Sequence, residues 1–188
     1  AGADAVVTAD FGSALALIVR AAKEAGLTAN FYTMNGNNFG VPSAVGAAGE
    51  GRLKVVSAFS PNDPRLASKP LLPAFRKQTK EDFTNSLGHN ALLMLAQGIR
   101  EAQSTDPAKV AAKMEGMRFE GLNGPVEMRK ADHQAQQILY VQSFEKVDGK
   151  TVIHDHEGTG FGWKPVATID AKAAEQPTTC KMKRPQGL

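Results

Sequence analysis

Two short pairs of residues are the best suited in this sequence to hold a small polar molecule: a carboxylate beside an aromatic ring, Asp10-Phe11, and an amide beside a glycine, Asn35-Gly36. A carboxylate pairs with a cation, an amide both donates and accepts, and a ring offers a stacking face. Each has a structural reading beside the chemical one. Asp10 also suits the start of the helix that follows it, where negative charge is favoured. Phe11 suits a ligand platform or the core. Asn35 suits a ligand contact or only the turn, because Asn-Gly is a natural turn pair.

The four histidines offer less. In His154-Asp155-His156-Glu157 the two imidazoles would share a face if the segment were extended. Two imidazoles leave a zinc site short of ligands, and the Cys/His spacings that mark zinc are missing, so the string reads as an exposed polar turn with no metal. His89 reads as a packed or surface histidine, and His133, in the polar junction 131–134, as a hydrogen-bonding group. Gly36, Gly40 and Gly46 do not make a GxGxxG, and neither a phosphate loop nor a GxSxG occurs. No cofactor and no catalytic constellation are expected. The lone Cys180 makes no internal disulfide; it is a free thiol or pairs with a cysteine beyond this chain.

The elements that must position Asp10 and Asn35 come first in the chain. Residues 4–9 are a short apolar run with β-branched residues, and 10–12 break it. Ser13 suits a helix cap. Leu15, Ile18, Val19 and Ala22 then fall on one helix face. Gly26 stands where a helix ends in a left-handed residue. Residues 30–34 read as the next strand and 35–40 as a polar loop. A strand–helix–strand unit implies parallel strands with a right-handed crossover, and ligands bind off the carboxyl ends of such strands. Those ends carry Asp10-Phe11 and Asn35-Gly36, so the two loops are expected side by side at one cleft.

Further on, 41–46 read as a short helix or turn and 53–59 as a strand. Ser60-Pro61-Asn62-Asp63-Pro64 breaks the chain and reads as a passage between lobes. An amphipathic helix is expected over 70–80, with Leu71, Leu72 and Phe75 on one side. The longest helical signal spans 85–103, with Leu87, Ala91, Met94, Leu95 and Ile99 as a buried face widened by Leu92, Leu93 and Ala96. Asp106 caps the next helix and Pro107 takes its first position. Residues 119–125 read as a turn, 126–129 as a short strand and 131–134 as a second passage. Residues 138–146 read as a strand, joined through Asp148-Gly149 to 151–153 as a hairpin. The rest reads as irregular, with Phe161 and Trp163 docking it.

With 42% hydrophobic and 22% charged residues, the 188-residue chain has the composition of a globular protein. The net charge of +3 is small, and basic residues cluster only at Lys181-Met182-Lys183-Arg184, so nucleic acid is not an expected partner. No run reaches the ~18 apolar residues of a membrane span. The opening Ala1-Gly2-Ala3-Asp4 reads as cut from something longer.

An ordered set of segments carries a family likeness: 1–7, 17–27, 105–111, Gly121-Leu122-Asn123-Gly124-Pro125-Val126, Asp132-His133-Gln134 and 180–185. With these the chain resembles the carboxyl-terminal half of the branched-chain amino acid binding proteins of ABC importers, the periplasmic binding proteins of Leu/Ile/Val type. The resemblance implies an α/β, two-lobed type I periplasmic-binding fold with parallel, Rossmann-like sheets and three crossings, of which only the carboxyl-terminal part is present. Residues 1–60 would belong to the second lobe, 61–130 to the first, and 131–188 to the second lobe and tail. Ser60, Pro61, Asn62, Asp132 and His133 would serve the hinge.

Phe11 falls where the family places an aromatic residue, and Asn35 where it places an acid for the ligand ammonium. A neutral amide is the weaker partner unless Asp10 supplies the charge. The resemblance therefore implies a ligand set of Asp10, Phe11, Asn35 and Gly36. It implies a bacterial periplasmic protein that captures a branched-chain or related amino acid by lobe closure and delivers it to a membrane permease. An aromatic or other small carboxylic acid is the alternative ligand. A sensory ligand-binding domain, or an α/β enzyme using Asp10 with His133 or the His154–His156 string, is the alternative role. The amino-terminal half, with the family's serine/threonine loop for the ligand carboxylate, would be the missing partner, and its absence would leave strand edges and apolar helix faces exposed.

Overall fold

The computed structural model of the chain describes residues 2–67, 70–84 and 86–184. The expectations that touch Ala1, Asn85 and 185–188 lie outside these residues. The chain forms two compact units, Ala1–Thr84 with Tyr140–Thr168 and Asn85–Leu139 with Ile169–Leu188.

The first unit opens with β1 (Ala5–Val7), α1 (Gly12–Glu24), β2 (Asn30–Thr33), α2 (Val41–Val45), a single 3-10 turn (Gly46–Gly49) and β3 (Leu53–Ser57). β1, β2 and β3 pair in parallel, with Val6, Phe31 and Leu53 in line across the sheet. α1 begins at Gly12 with Phe11 as its extended N-cap residue. Ser13 therefore lies inside the first turn and caps nothing. The helix buries Leu15, Ala16 and Val19, and packs Ala22 beside them. Ile18 is turned outward, so the face is narrower than the spacing predicts. Its end is a Schellman turn: Gly26 takes φ +71°, its N–H donates to Lys23 O at 3.0 Å, and Leu27 N–H donates to Ala22 O at 2.9 Å.

β7 (Leu139–Lys146) pairs antiparallel with β3, and β8 (Phe161–Ile169) lies beyond it at the sheet's far side. The core joins Leu15 and Val19 of α1, Val41 and Val45 of α2, and Phe31, Leu53, Val55, Phe144 and Trp163 of the strands. The expected hairpin to 151–153 does not form. The Asp148 carboxylate accepts from the N–H groups of Lys150, Thr151 and Val152, each at 2.8 Å, and curls this segment into a turn. The partner of β7 is instead β8, in a region read from sequence as irregular. α3 (Pro64–Ala67) and α4 (Leu71–Thr79) also group with the first unit.

The second unit holds α5 (Ser86–Ala102), α6 (Pro107–Met114) and the antiparallel strands β4 (Arg118–Gly121), β5 (Gly124–Met128) and β6 (Ala135–Gln136). Asp106 caps α6, accepting from the N–H groups of Ala108 and Lys109 at 3.0 Å each. β4 and β5 form a hairpin: β5 takes up the strand expected at 126–129, and β4 occupies the start of the stretch 119–125 read as a turn. The largest departure is the face of α5. Its buried stripe is Ser86, Asn90, Met94 and Gly98, not the leucines, and Leu92 is 70% exposed. The reason is close packing with α6: a Cβ on Gly98 would stand 2.7 Å from Met114 Cγ, so only the small side of the helix fits. Among the described residues, no helix is long and apolar enough to cross a membrane.

Candidate functional site

The carboxyl ends of β1 and β2 lie side by side, as the strand–helix–strand reading predicts. Thr8 N–H donates to Tyr32 O at 3.0 Å and carries the pairing past Val7. The Thr8 hydroxyl then donates to Asp10 Oδ2 at 2.7 Å while accepting Asp10 N–H at 3.0 Å, which sets the carboxylate's orientation. From the second loop, Asn35 Nδ2 donates to Ala9 O at 3.0 Å and to Asp10 O at 3.3 Å. Its oxygen accepts from Asn38 Nδ2 at 3.3 Å, and its own N–H donates to Thr33 Oγ1 at 3.0 Å. Asn35 is thus the tie between the loops.

Phe11 is 72% exposed, which removes the core reading for it. Asp10 is exposed beside it. Gly36 faces the other way. It is buried, and a Cβ there would stand 3.1 Å from the Trp163 ring and 3.3 Å from Thr33 Cγ2, so its smallness serves packing beneath the loop. Two apolar residues that sequence reasoning passed over share these loops: Met34 is exposed and Phe39 is 85% exposed. The available signal was a bulky apolar residue in a loop otherwise made of Asn and Gly.

A cavity of about 130 Å³ lies within the same unit, walled by Phe59, Phe83 and Trp163 and by Arg76, His154 and His156. Arg76 bridges two carboxylates, Asp155 at 2.8 Å and Asp82 at 2.9 Å. His156 is only 5% exposed, which corrects the reading of 154–157 as an exposed polar turn. Trp163 Nε1 donates to His156 Nδ1 at 2.8 Å. Indole N–H is only a donor, so that imidazole nitrogen must be the acceptor and the ring is neutral. Burial lowers the pKa of both His154 and His156. Glu157 reaches α2, accepting from Gly40 N–H at 2.6 Å, Ser43 N–H at 3.0 Å and Ser43 Oγ at 2.6 Å. Asp155, His156 and Glu157 are therefore committed to protein partners. Among the described residues no group of three or more His, Cys, Asp or Glu is placed to hold a metal ion.

The residues expected at the crossings divide between the units. Ser60 is fully buried and its hydroxyl has no partner among the described residues. Pro61 lies beside it on the cavity wall. Asn62 spends all its groups: Nδ2 donates to Trp163 O and His154 O at 3.0 and 3.2 Å, and Oδ1 accepts from Ile153 and His154 N–H at 2.9 and 2.8 Å. Asp63 accepts from Arg65 at 2.7 Å and from the Tyr140 hydroxyl. In the second unit Arg129 Nε donates to Asp132 at 2.9 Å, and that contact foremost holds the Asp132 carboxyl at about 2. His133 has φ +58°, and its Nε2 lies 3.0 Å from Glu115 Oε1. The compact units themselves part at 84/85, 139/140 and 168/169.

The chain matches the family described as periplasmic binding protein over residues 1–150. It is 30% identical over 196 residues to Leu/Ile/Val-binding protein homolog 4 of Brucella abortus (strain 2308), covering 98% of this chain and 45% of that protein. The leucine-, isoleucine-, valine-, threonine- and alanine-binding protein of Brucella ovis, in its closed conformation, superposes with a TM-score of 0.85 at 24% identity, over 98% of this chain and 48% of that one. A solute binding protein of an ABC transporter from Rhodopseudomonas palustris BisB5, in complex with 3,4-dihydroxybenzoic acid, superposes with a TM-score of 0.68 at 19% identity, over 89% and 45%. The chain spans about half the length of the relatives it matches.

Proposed function

The chain belongs to the periplasmic binding protein family of ABC transporter solute-binding proteins, and on that premise we propose that it captures a small amino acid or carboxylic acid at the carboxyl ends of β1 and β2 and passes it unchanged to a membrane permease. The protein works outside the cytoplasm, and no bond is made or broken. The observation that carries this reading is the pairing of the two loops by Asn35, which holds an exposed carboxylate and an exposed ring, Asp10 and Phe11, at the strand ends where α/β sheets take ligands.

In this reading the chain supplies the carboxyl-terminal half of a longer protein, and a preceding half completes both lobes and the ligand pocket. The lobes close on the ligand about the chain passages between them. Asn62 and Asp63, with their hydrogen bonds all made, are fixed inside the first unit. Asp132 and His133 lie inside the second, and the passages fall at 84/85, 139/140 and 168/169. Binding of an amino acid is supported by the names of the Brucella proteins it resembles, and binding of an aromatic acid by the Rhodopseudomonas complex together with the exposed rings of Phe11 and Phe39.

Isothermal titration of the natural full-length protein with leucine, valine, phenylalanine and hydroxybenzoate tests the reading. The expected result is saturable binding of at least one of them with a stoichiometry of one and no product formed. Absence of binding throughout, or turnover of the bound compound, would overturn it.

A further inference from the structure

We infer that Asp10, and not the residue at position 35, reads the charge of the ligand, and that the ligand therefore carries an ammonium group. The inference rests on ligand capture at the strand ends as proposed above, and it chooses between the two ligand classes left there.

A side-chain amide has two N–H donors and one oxygen with two lone pairs. Both donor directions are spent on main-chain carbonyls, Ala9 O at 3.0 Å and Asp10 O at 3.3 Å, and the oxygen already accepts from Asn38 at 3.3 Å. An ammonium ion needs an acceptor, and only one lone pair of Asn35 is left to serve as one. A carboxylate at this position could not make the same tie, because its oxygens would face two carbonyl oxygens with no proton between them. Asn35 is a positioning residue: it fixes the backbone of Asp10 and does not supply charge.

Asp10 is placed in the opposite way. One oxygen, Oδ2, accepts from the Thr8 hydroxyl at 2.7 Å, and the loop's own hydrogen bonds hold the side chain in that orientation. Its other oxygen has no protein partner, and no lysine, arginine or histidine pairs with it, among the described residues. It is an exposed, oriented negative charge at the amino-terminal end of α1, with no basic side chain paired to it among the described residues. On the two loops that Asn35 joins, Phe11, Met34 and Phe39 are exposed apolar side chains, with the exposed amide of Asn38 among them. A carboxylate set in apolar surface matches a small molecule with an ammonium group and an apolar body. An acid lacking the ammonium would bring a second negative charge beside Asp10, with only the amino-terminal N–H groups of α1 there to meet it.

The test uses the full-length protein and two matched pairs of probes: leucine with its deaminated analogue isocaproate, and phenylalanine with hydrocinnamate. Titration calorimetry is run on the wild type, Asp10→Asn and Asn35→Asp. The wild type is expected to prefer at least one amine-bearing partner over its deaminated analogue by about tenfold or more, a charge-assisted contact being the stronger kind. Asp10→Asn is expected to bring that preference to near unity. Asn35→Asp is expected to weaken both members of the pair and not to raise the preference, since the tie is lost. Retention of the preference in Asp10→Asn, or a tenfold gain in Asn35→Asp, would overturn the inference, and so would a wild type that binds the deaminated acids better. In that last case ligand capture at the site would stand while the charge assignment fell. Loss of all binding in the wild type would overturn both.

Discussion

Asn35 and Asn62 are alike in chemistry and in use: each joins two stretches of backbone that the sequence keeps far apart. Neither role is legible from its neighbours, because the partners are main-chain groups brought in by the fold. Asp63 shows the limit in part, since Arg65 stands two residues on while Tyr140 is brought in by the fold, and these partners have a measurable consequence. Burial alone would raise the pKa of this carboxyl, but hydrogen bonds from Arg65 and Tyr140 outweigh it and hold the value at about 2, against 3.8 for the free group. A depressed native value means stability that is complete above the unfolded pKa and is lost as pH falls through the native one. Linkage makes the full effect roughly 2 kcal/mol. Urea unfolding of wild type and Asp63→Asn should therefore show a gap that is widest near neutral pH and narrows between about pH 4 and pH 2. A gap that stays constant over that window would contradict the assignment. Asp10 and Phe11, by contrast, are legible in the sequence, since a strand that stops at a polar break announces its own carboxyl end. Phe39 was missed because a loop of Asn and Gly reads as spacer.

At the scale of elements, the parallel unit of β1, α1, β2 and β3 follows from hydrophobic spacing and from Gly26, signals that are local. The failures are those where a distant partner decides. Which side of α5 is buried depends on how close α6 comes, and Gly98 rather than the leucines permits that approach. β8 contains Pro165, which argues against a strand on local grounds, yet the strand buries Trp163 in the core. α2 is five residues long and has no cap from its own neighbourhood. Its orphan N–H groups are met by Glu157, from a loop much later in the chain. Glu157→Ala is expected to cost about 1–2 kcal/mol, in the range of a lost helix cap, and to speed hydrogen exchange over residues 41–45. Glu157→Gln, which keeps one accepting oxygen and turns an NH2 toward the other N–H group, should recover only part of that stability. A Glu157→Ala protein as stable and as protected as the wild type would show that the cap contributes nothing.

For the molecule as a whole, the balance of covered and uncovered surface fits the family assignment. Parallel sheets are normally covered on both faces. Here α1 and α2 pack on one face, while on the other Val7 is 84% exposed and Tyr32 and Lys54 are half-buried. The leucines of α5 are likewise open to solvent. The relatives are about twice as long, and the proposed preceding half has as much chain again to lay over these surfaces. Legibility at this scale came from the ordered family segments, not from periodicity, which cannot count strands contributed by another part of a protein. The central claim is that the strand ends of the first unit hold the ligand. Its most direct test is amide chemical-shift mapping of the isotope-labelled full-length protein titrated with leucine. The account predicts that the largest shifts fall on Asp10, Phe11, Met34, Asn35 and Phe39. Shifts confined to the cavity of Phe59, Arg76 and Trp163, or to the second unit, with the strand-end amides unmoved, would contradict it.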